Sequence, residues 1–239
     1  MAAGENDAKI PSGFILVNKP PGPTSHDVVD ELRAITGISQ IGHAGTLDPL
    51  AEGLLIILIG QYTKEAQNFV KLSKAYRAVL RLGFESNTHD IDGEIIQRKE
   101  FTIPIREDVE IVLEKFRGEI SQVPPQFSAI KVKGKKAYKS ARSGEEVKLE
   151  ARIATISNLE TIWYKFPILT LDIACSSGTY IRSLARDIGD AIQTGAVVSA
   201  LRRTAVGNYS LTGASDLKSI NLKNWQKLLR VKSDQIKSN

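Results

Sequence analysis

Cysteine is almost missing from this 239-residue chain. Cys175 is the sole one, which excludes an internal disulfide framework and fits a reducing compartment. Histidine is scarce as well. His26, His43 and His89 are scattered and show no metal-ligand spacing with each other or with that thiol. No apolar run approaches the roughly 20 residues that span a bilayer as a helix. The opening residues, MAAGENDAKIPSG, have neither a basic start nor an apolar stretch, so no secretory leader is expected. Internal repeats and low-complexity tracts are missing too. These absences point to a soluble protein.

What is present is an ordinary globular balance, 42% hydrophobic and 25% charged, long enough for one elaborated domain or two small ones. The net charge of +5 is unevenly spread. Residues 131–148, KVKGKKAYKSARSGEEVK, carry seven basic and two acidic groups, and residues 216–239 carry six and two. The rest of the chain is mildly acidic. A basic segment on an acidic body is the distribution of a polyanion binder, although a solvated lysine-rich hairpin would have the same charge.

Taken in order, GFILV predicts a strand over Phe14–Val17, followed by Lys19 and a proline–glycine turn. Thr24 or Ser25 caps a helix with Val28, Val29, Leu32 and Ile35 on one face, and Gly37 ends it. Residues 61–72 read as a short helix, and a strand starts near Tyr76. His89–Glu94 reads as a turn, and 105–117 as an amphipathic helix with Val109, Val112, Leu113 and Phe116 inward. From Val123 to about Ala151 the chain is proline-led, basic and poor in large apolar residues, an excursion from the main sheet. Strand character returns over 152–176. A helix then buries Ile181, Leu184, Ala185, Ile188 and Ile192, with Arg182 and Arg186 one turn apart on its flank. A last strand region carries Arg202 and Arg203. Strands and helices interleave without strict alternation, which favours an α+β fold with a mixed sheet.

The stretch from Gly42 to Leu55, GHAGTLDPLAEGLL, stands out. Gly42 and Gly45 permit left-handed or crowded backbone, and Asp48-Pro49 is a turn-initiating pair. Pro49 is expected to open a short helix through Ala51 and Glu52. LLIILIG then reads as a strand buried on both faces. A carboxylate therefore sits on a constrained loop beside a central strand, where chemistry is commonly carried. Read alone, the same residues describe an Asx-turn capping the next element.

Four stretches, KPPGPTS at 19–25, GHAGTLDPLAEGLL at 42–55, AYRAVLRLG at 75–83 and CSSGTYIRSLARDIG at 175–189, resemble the tRNA pseudouridine-55 synthase family of TruB type in order and spacing. PPQFSAIKVKGKKAY and LRRTAVG resemble its members too. The resemblance runs from about Gly13 to Leu217. It implies a pseudouridine synthase fold, α+β with a central mixed, mainly antiparallel sheet flanked by helices. It implies a flexible tail over 1–12, a catalytic domain over 13–217 with the basic insertion at about 123–151, and a short basic tail over 218–239. It also implies isomerisation of uridine 55 in the tRNA T-loop, with neither metal nor organic cofactor, by a cytoplasmic monomer whose partner is the T-arm of tRNA. No protein partner and no membrane are expected.

By match to the family's motifs, Asp48 is the catalytic aspartate, Tyr76 the aromatic beside the target base, and Arg182 the aspartate's partner. His43 matches a histidine that helps hold the flipped-out conformation, and Asp90 an acidic residue near the base. Lys19, Tyr180 and Leu201 match residues that line or support the pocket. Lys133, Lys135 and Lys136 are assigned to the RNA backbone from the charge of the excursion. Members of this type usually continue into a small C-terminal RNA-binding domain. Here 22 residues follow Leu217, so that domain is expected to be missing. Ser177 stands where many relatives carry lysine. The rival readings are a non-catalytic RNA-binding or tRNA-folding protein, a related synthase acting on another RNA, and a hydrolase pairing Asp48 with Asp90.

Overall fold

The computed structural model of the chain describes residues 10–126, 131–132, 135–136 and 149–231. In order the elements are β1 (Gly13–Lys19), α1 (Ser25–Thr36), β2 (Ile41–His43), β3 (Glu52–Ile59), α2 (Ala66–Val70) and β4 (Lys74–Leu82). Then come β5 (Phe84–Ser86), β6 (Ile95–Gln97), α3 (Arg106–Glu114), β7 (Gly118–Gln122), β8 (Lys131–Val132) and β9 (Lys135–Lys136). The rest are β10 (Arg152–Lys165), β11 (Ile168–Cys175), α4 (Ile181–Ala191), β12 (Ala196–Val206), β13 (Tyr209–Ser210), β14 (Ser215–Asp216) and α5 (Trp225–Leu228).

Contacts divide the chain into two compact units, residues 1–70 with 205–239, and residues 71–204. In the first unit β3 pairs antiparallel with both β1 and β2, while β14 joins β1 in parallel. All of β3 after Glu52 is buried, as the unbroken apolar run predicts. Helix α1 starts at Thr24, whose hydroxyl accepts from the Asp27 N–H while the Asp27 carboxylate accepts from the Thr24 N–H. Gly37, with φ of 72°, ends it. The expected helix at Pro49 does not form. Ala51 N–H donates to Asp48 O at 3.0 Å, closing a turn, and Glu52 already belongs to β3, whose ladder competes better for these backbone groups. The stretch after Leu217 packs against the same unit up to Arg230, whose N–H and C=O both bond to Phe14. Trp225 in α5 is buried there.

The second unit has the antiparallel order β4-β11-β10-β7, with β12 beside β4. Strand β4 alternates cleanly, burying Lys74, Tyr76, Ala78, Leu80 and Leu82 on one face. Helix α3 buries Val109, Val112 and Leu113. Helix α4 buries Ile181, Leu184, Ala185 and Ile188 of the stripe read from the sequence, whereas Ile192, at its C-cap, is only half-buried.

Candidate active site

In the first unit the loop carrying Asp48 is held from both sides. Gly45 adopts φ of 97°, a left-handed conformation that other residues resist. Gly42 has no such requirement, since the nearest atom to an added Cβ is Thr63 Cγ2 at 4.0 Å. Leu47 is buried, and the Ser25 hydroxyl satisfies both of its peptide groups. Leu47 N–H donates to Ser25 Oγ at 2.8 Å, and Ser25 Oγ donates to Leu47 O at 3.0 Å. After Asp48, Pro49 O accepts from Gly22 N–H at 2.8 Å and from Lys19 Nζ at 3.5 Å.

Lys19 has no exposed surface. Its ammonium also donates to Pro20 O at 2.9 Å and to Pro23 O at 2.8 Å. A buried ammonium must find acceptors, and a proline-rich loop offers carbonyls without competing N–H groups. The KPPGPTS segment thus grips the residues on either side of Asp48, whose own side chain is half-buried. His43 ends β2 opposite Ile57 and is half-buried.

In the second unit the structure brings Asp90 and Arg182 together, both buried, with Arg182 Nη1 3.5 Å from Asp90 Oδ2. That nitrogen also donates to Thr88 O at 3.0 Å. Asp90 Oδ1 accepts from the Thr88 hydroxyl at 2.6 Å and from Asp92 N–H at 3.1 Å, so the carboxylate shapes its turn and meets the arginine at once. Arg182 is therefore not on a solvated flank as its spacing from Arg186 suggested. Burial next to Asp90 separates the two arginines.

Tyr76 sits on β4 opposite Ile173, on the buried face. Tyr180 precedes α4, and the buried Gln122 amide takes both its peptide groups, accepting from its N–H at 2.8 Å and donating to its C=O at 3.0 Å. Leu201 is buried on β12. Lys135 and Lys136 form β9, whose register pairs Lys131 with Lys136, while Lys133 lies outside the described residues.

Several buried polar groups escaped the sequence reading. Arg203, 1% exposed, shares the parity of Leu201 on β12. Lys74 shares the parity of Tyr76, and that alternation was a usable signal. Burial, aided by Arg203, lowers the Lys74 pKa to about 8. His89 adopts φ of 62°, and burial with Arg186 and Arg182 nearby lowers its pKa to about 4. Nothing in its sequence context announces that. A cleft of about 210 Å³ opens beside it, lined by Glu85, Ser86, Arg186 and Asp190 among others.

Two family models match the chain. Residues 33–181 match the family model described as TruB family pseudouridylate synthase (N terminal domain). Residues 182–236 match the model described as tRNA pseudouridylate synthase B C-terminal domain. That second match begins at Arg182 in α4 and runs through β12 into the first unit, so here it does not outline a separate body.

The chain is 47% identical over 201 residues to tRNA pseudouridine synthase B of Prochlorococcus marinus (strain NATL1A), covering 83% of this chain and 64% of that one. It is 46% identical over 209 residues to the protein of that name from Alkaliphilus oremlandii (strain OhILAs), covering 87% and 70%. It is similar to a solved Cbf5-Nop10-Gar1 complex with a TM-score of 0.70 and 27% identity, covering 92% of this chain and 60% of that one. The expected synthase fold, α+β with a mixed sheet flanked by helices, is borne out. The chain spans 64% of the length of the Prochlorococcus relative.

Proposed function

Because the chain belongs to the TruB family of pseudouridylate synthases, we propose that it isomerises uridine 55 in the T-loop of tRNA to pseudouridine. The observation that carries this reading is the fixed backbone on both sides of Asp48, with Ser25 on Leu47 and Lys19 with Gly22 on Pro49. A half-buried carboxylate on a pinned turn can meet a reacting sugar without reorganising.

The reaction breaks the bond between ribose carbon and base nitrogen and rejoins the base through carbon. The sugar passes through an electron-poor state, which a carboxylate stabilises or attacks. Asp48 takes that role. Tyr76 offers its ring to the extruded base, and stacking worth about 1–3 kcal/mol offsets the few kcal/mol spent on extrusion. Arg182, which matches the family's arginine, is oriented by Asp90 and Thr88 O. Lys19, His43, Tyr180 and Leu201 support or line the site, and Lys133, Lys135 and Lys136 hold the RNA backbone. The chain acts in the cytoplasm as a monomer, needing neither a protein partner nor a cofactor.

The test uses the purified chain alone with an unmodified tRNA transcript, followed by mapping of pseudouridine along the RNA. One modified T-loop position is expected, and none with Asp48→Ala, which should still bind tRNA. Turnover by Asp48→Ala, or an unmodified T-loop with the wild-type chain, overturns the reading.

A further inference from the structure

Ser25 is 1% exposed and stands at the first position of α1, yet its hydroxyl does not serve the helix. The N-terminal helix bond is supplied one residue earlier by Thr24. Ser25 Oγ turns instead to a segment 22 residues away and takes both hydrogen-bonding groups of Leu47, at 2.8 and 3.0 Å. One hydroxyl thereby does for Leu47 what a neighbouring strand would do. The residue it fixes immediately precedes Asp48, and the peptide plane that Leu47 C=O belongs to is the one that sets the Asp48 N–Cα direction.

We propose that Ser25 is a positioning residue of the isomerisation, holding the Leu47–Asp48 peptide so that the Asp48 carboxylate meets the ribose in a reactive orientation. Resting on the function proposed above, this adds a division of labour between adjacent residues: Thr24 caps the helix and Ser25 aims the aspartate. Serine suits the task because its hydroxyl is donor and acceptor at one atom. Alanine would leave two buried backbone groups of Leu47 to find other partners and would release the loop on the side preceding Asp48. The grip on Pro49 would remain.

The test compares Ser25→Ala, Ser25→Cys and Thr24→Ala in single-turnover isomerisation of saturating tRNA, with tRNA affinity and thermal midpoint measured in parallel. Thr24→Ala destabilises the same helix without touching Leu47, so it reports what mere loss of helix stability does. For Ser25→Ala the rate should fall on the order of 100-fold with affinity unchanged, as expected when a reacting group is slightly misplaced. Ser25→Cys, with a longer and weaker donor and acceptor, should fall between Ser25→Ala and wild type. Thr24→Ala should stay within about threefold of the wild-type rate despite a lower midpoint.

A Ser25→Ala rate within about threefold of wild type overturns the proposal. So does a Thr24→Ala rate as low as that of Ser25→Ala. Should Ser25→Ala not fold, Ser25→Cys and Thr24→Ala decide alone: equal rates for those two overturn it, a slower Ser25→Cys supports it. Asp48→Ala run alongside separates the two readings. Inactive Asp48→Ala with active Ser25→Ala removes only the positioning role, whereas active Asp48→Ala removes the function it rests on.

Discussion

Arg182 Nη1 lies 3.5 Å from Asp90 Oδ2, and the two side chains are only 7% and 6% exposed. The pair joins the first turn of α4 to the Thr88–Asp92 turn, which itself bonds to β12 through His89 O and Ile91 N–H at Val198. Removing Asp90 takes one carboxylate from the buried Arg182 guanidinium and leaves the Thr88 hydroxyl and Asp92 N–H without their acceptor. Asp90→Ala should therefore cost about 1–3 kcal/mol of stability. It should also slow isomerisation by loosening Arg182. Urea unfolding and single-turnover rates check this, and a loss below about 1 kcal/mol would mean Arg182 does not depend on Asp90.

Tyr76 offers a ring and a hydroxyl, and two substitutions separate them. If the hydroxyl exchanges a proton during the reaction, Tyr76→Phe should bind tRNA normally yet turn over about 10²–10⁴-fold more slowly. Tyr76→Leu should additionally weaken engagement of the extruded base by about 1–3 kcal/mol. Tritium release from base-labelled tRNA and filter binding distinguish the outcomes. A near-normal rate for Tyr76→Phe would leave the ring as platform only.

Neutralising Lys133, Lys135, Lys136 and Lys139 with glutamine should weaken tRNA binding and flatten its salt dependence. Each lost phosphate contact should remove roughly 0.7–0.9 from the logarithmic salt slope. Rates at saturating tRNA should change less than affinity. An unchanged slope would mean that these lysines face solvent.

His89 ties stability to pH. Its folded pKa of about 4 is below the ordinary 6.5, so between these values the unfolded chain binds more protons. Stability should rise as pH increases from 4 to 6.5, and below 4 this contribution no longer changes because both states are protonated. The full effect is about 1–3 kcal/mol. Asn tolerates the left-handed backbone found here, so His89→Asn should keep the fold and flatten that part of the profile. Denaturant titrations of both proteins across this range measure the difference, and identical slopes would place the imidazole in water.

Most elements were legible because their signals are local. Thr24 and Gly37 bound α1, alternation marks β4, and the apolar stripe of α4 needs only a period of 3.6. The misreadings came where a distant segment competes for the same backbone. Pro49 looks like a helix start, but β3 already begins at Glu52, and its next residue, Gly53, pairs with Lys19 of β1.

The amino-acid order by itself determined the family, the carboxylate to watch and the basic excursion, since four motifs with fixed spacing carry that information without reference to distance. Only the tertiary structure decided what holds each motif. Ser25 reaches Leu47 across 22 positions, Lys19 reaches Pro49 across 30, and Arg182 reaches Thr88 O across 94. Hydrogen bonds act over about 3 Å of space whatever the separation along the chain, so no periodicity or propensity encodes which polar side chain will be buried against which peptide.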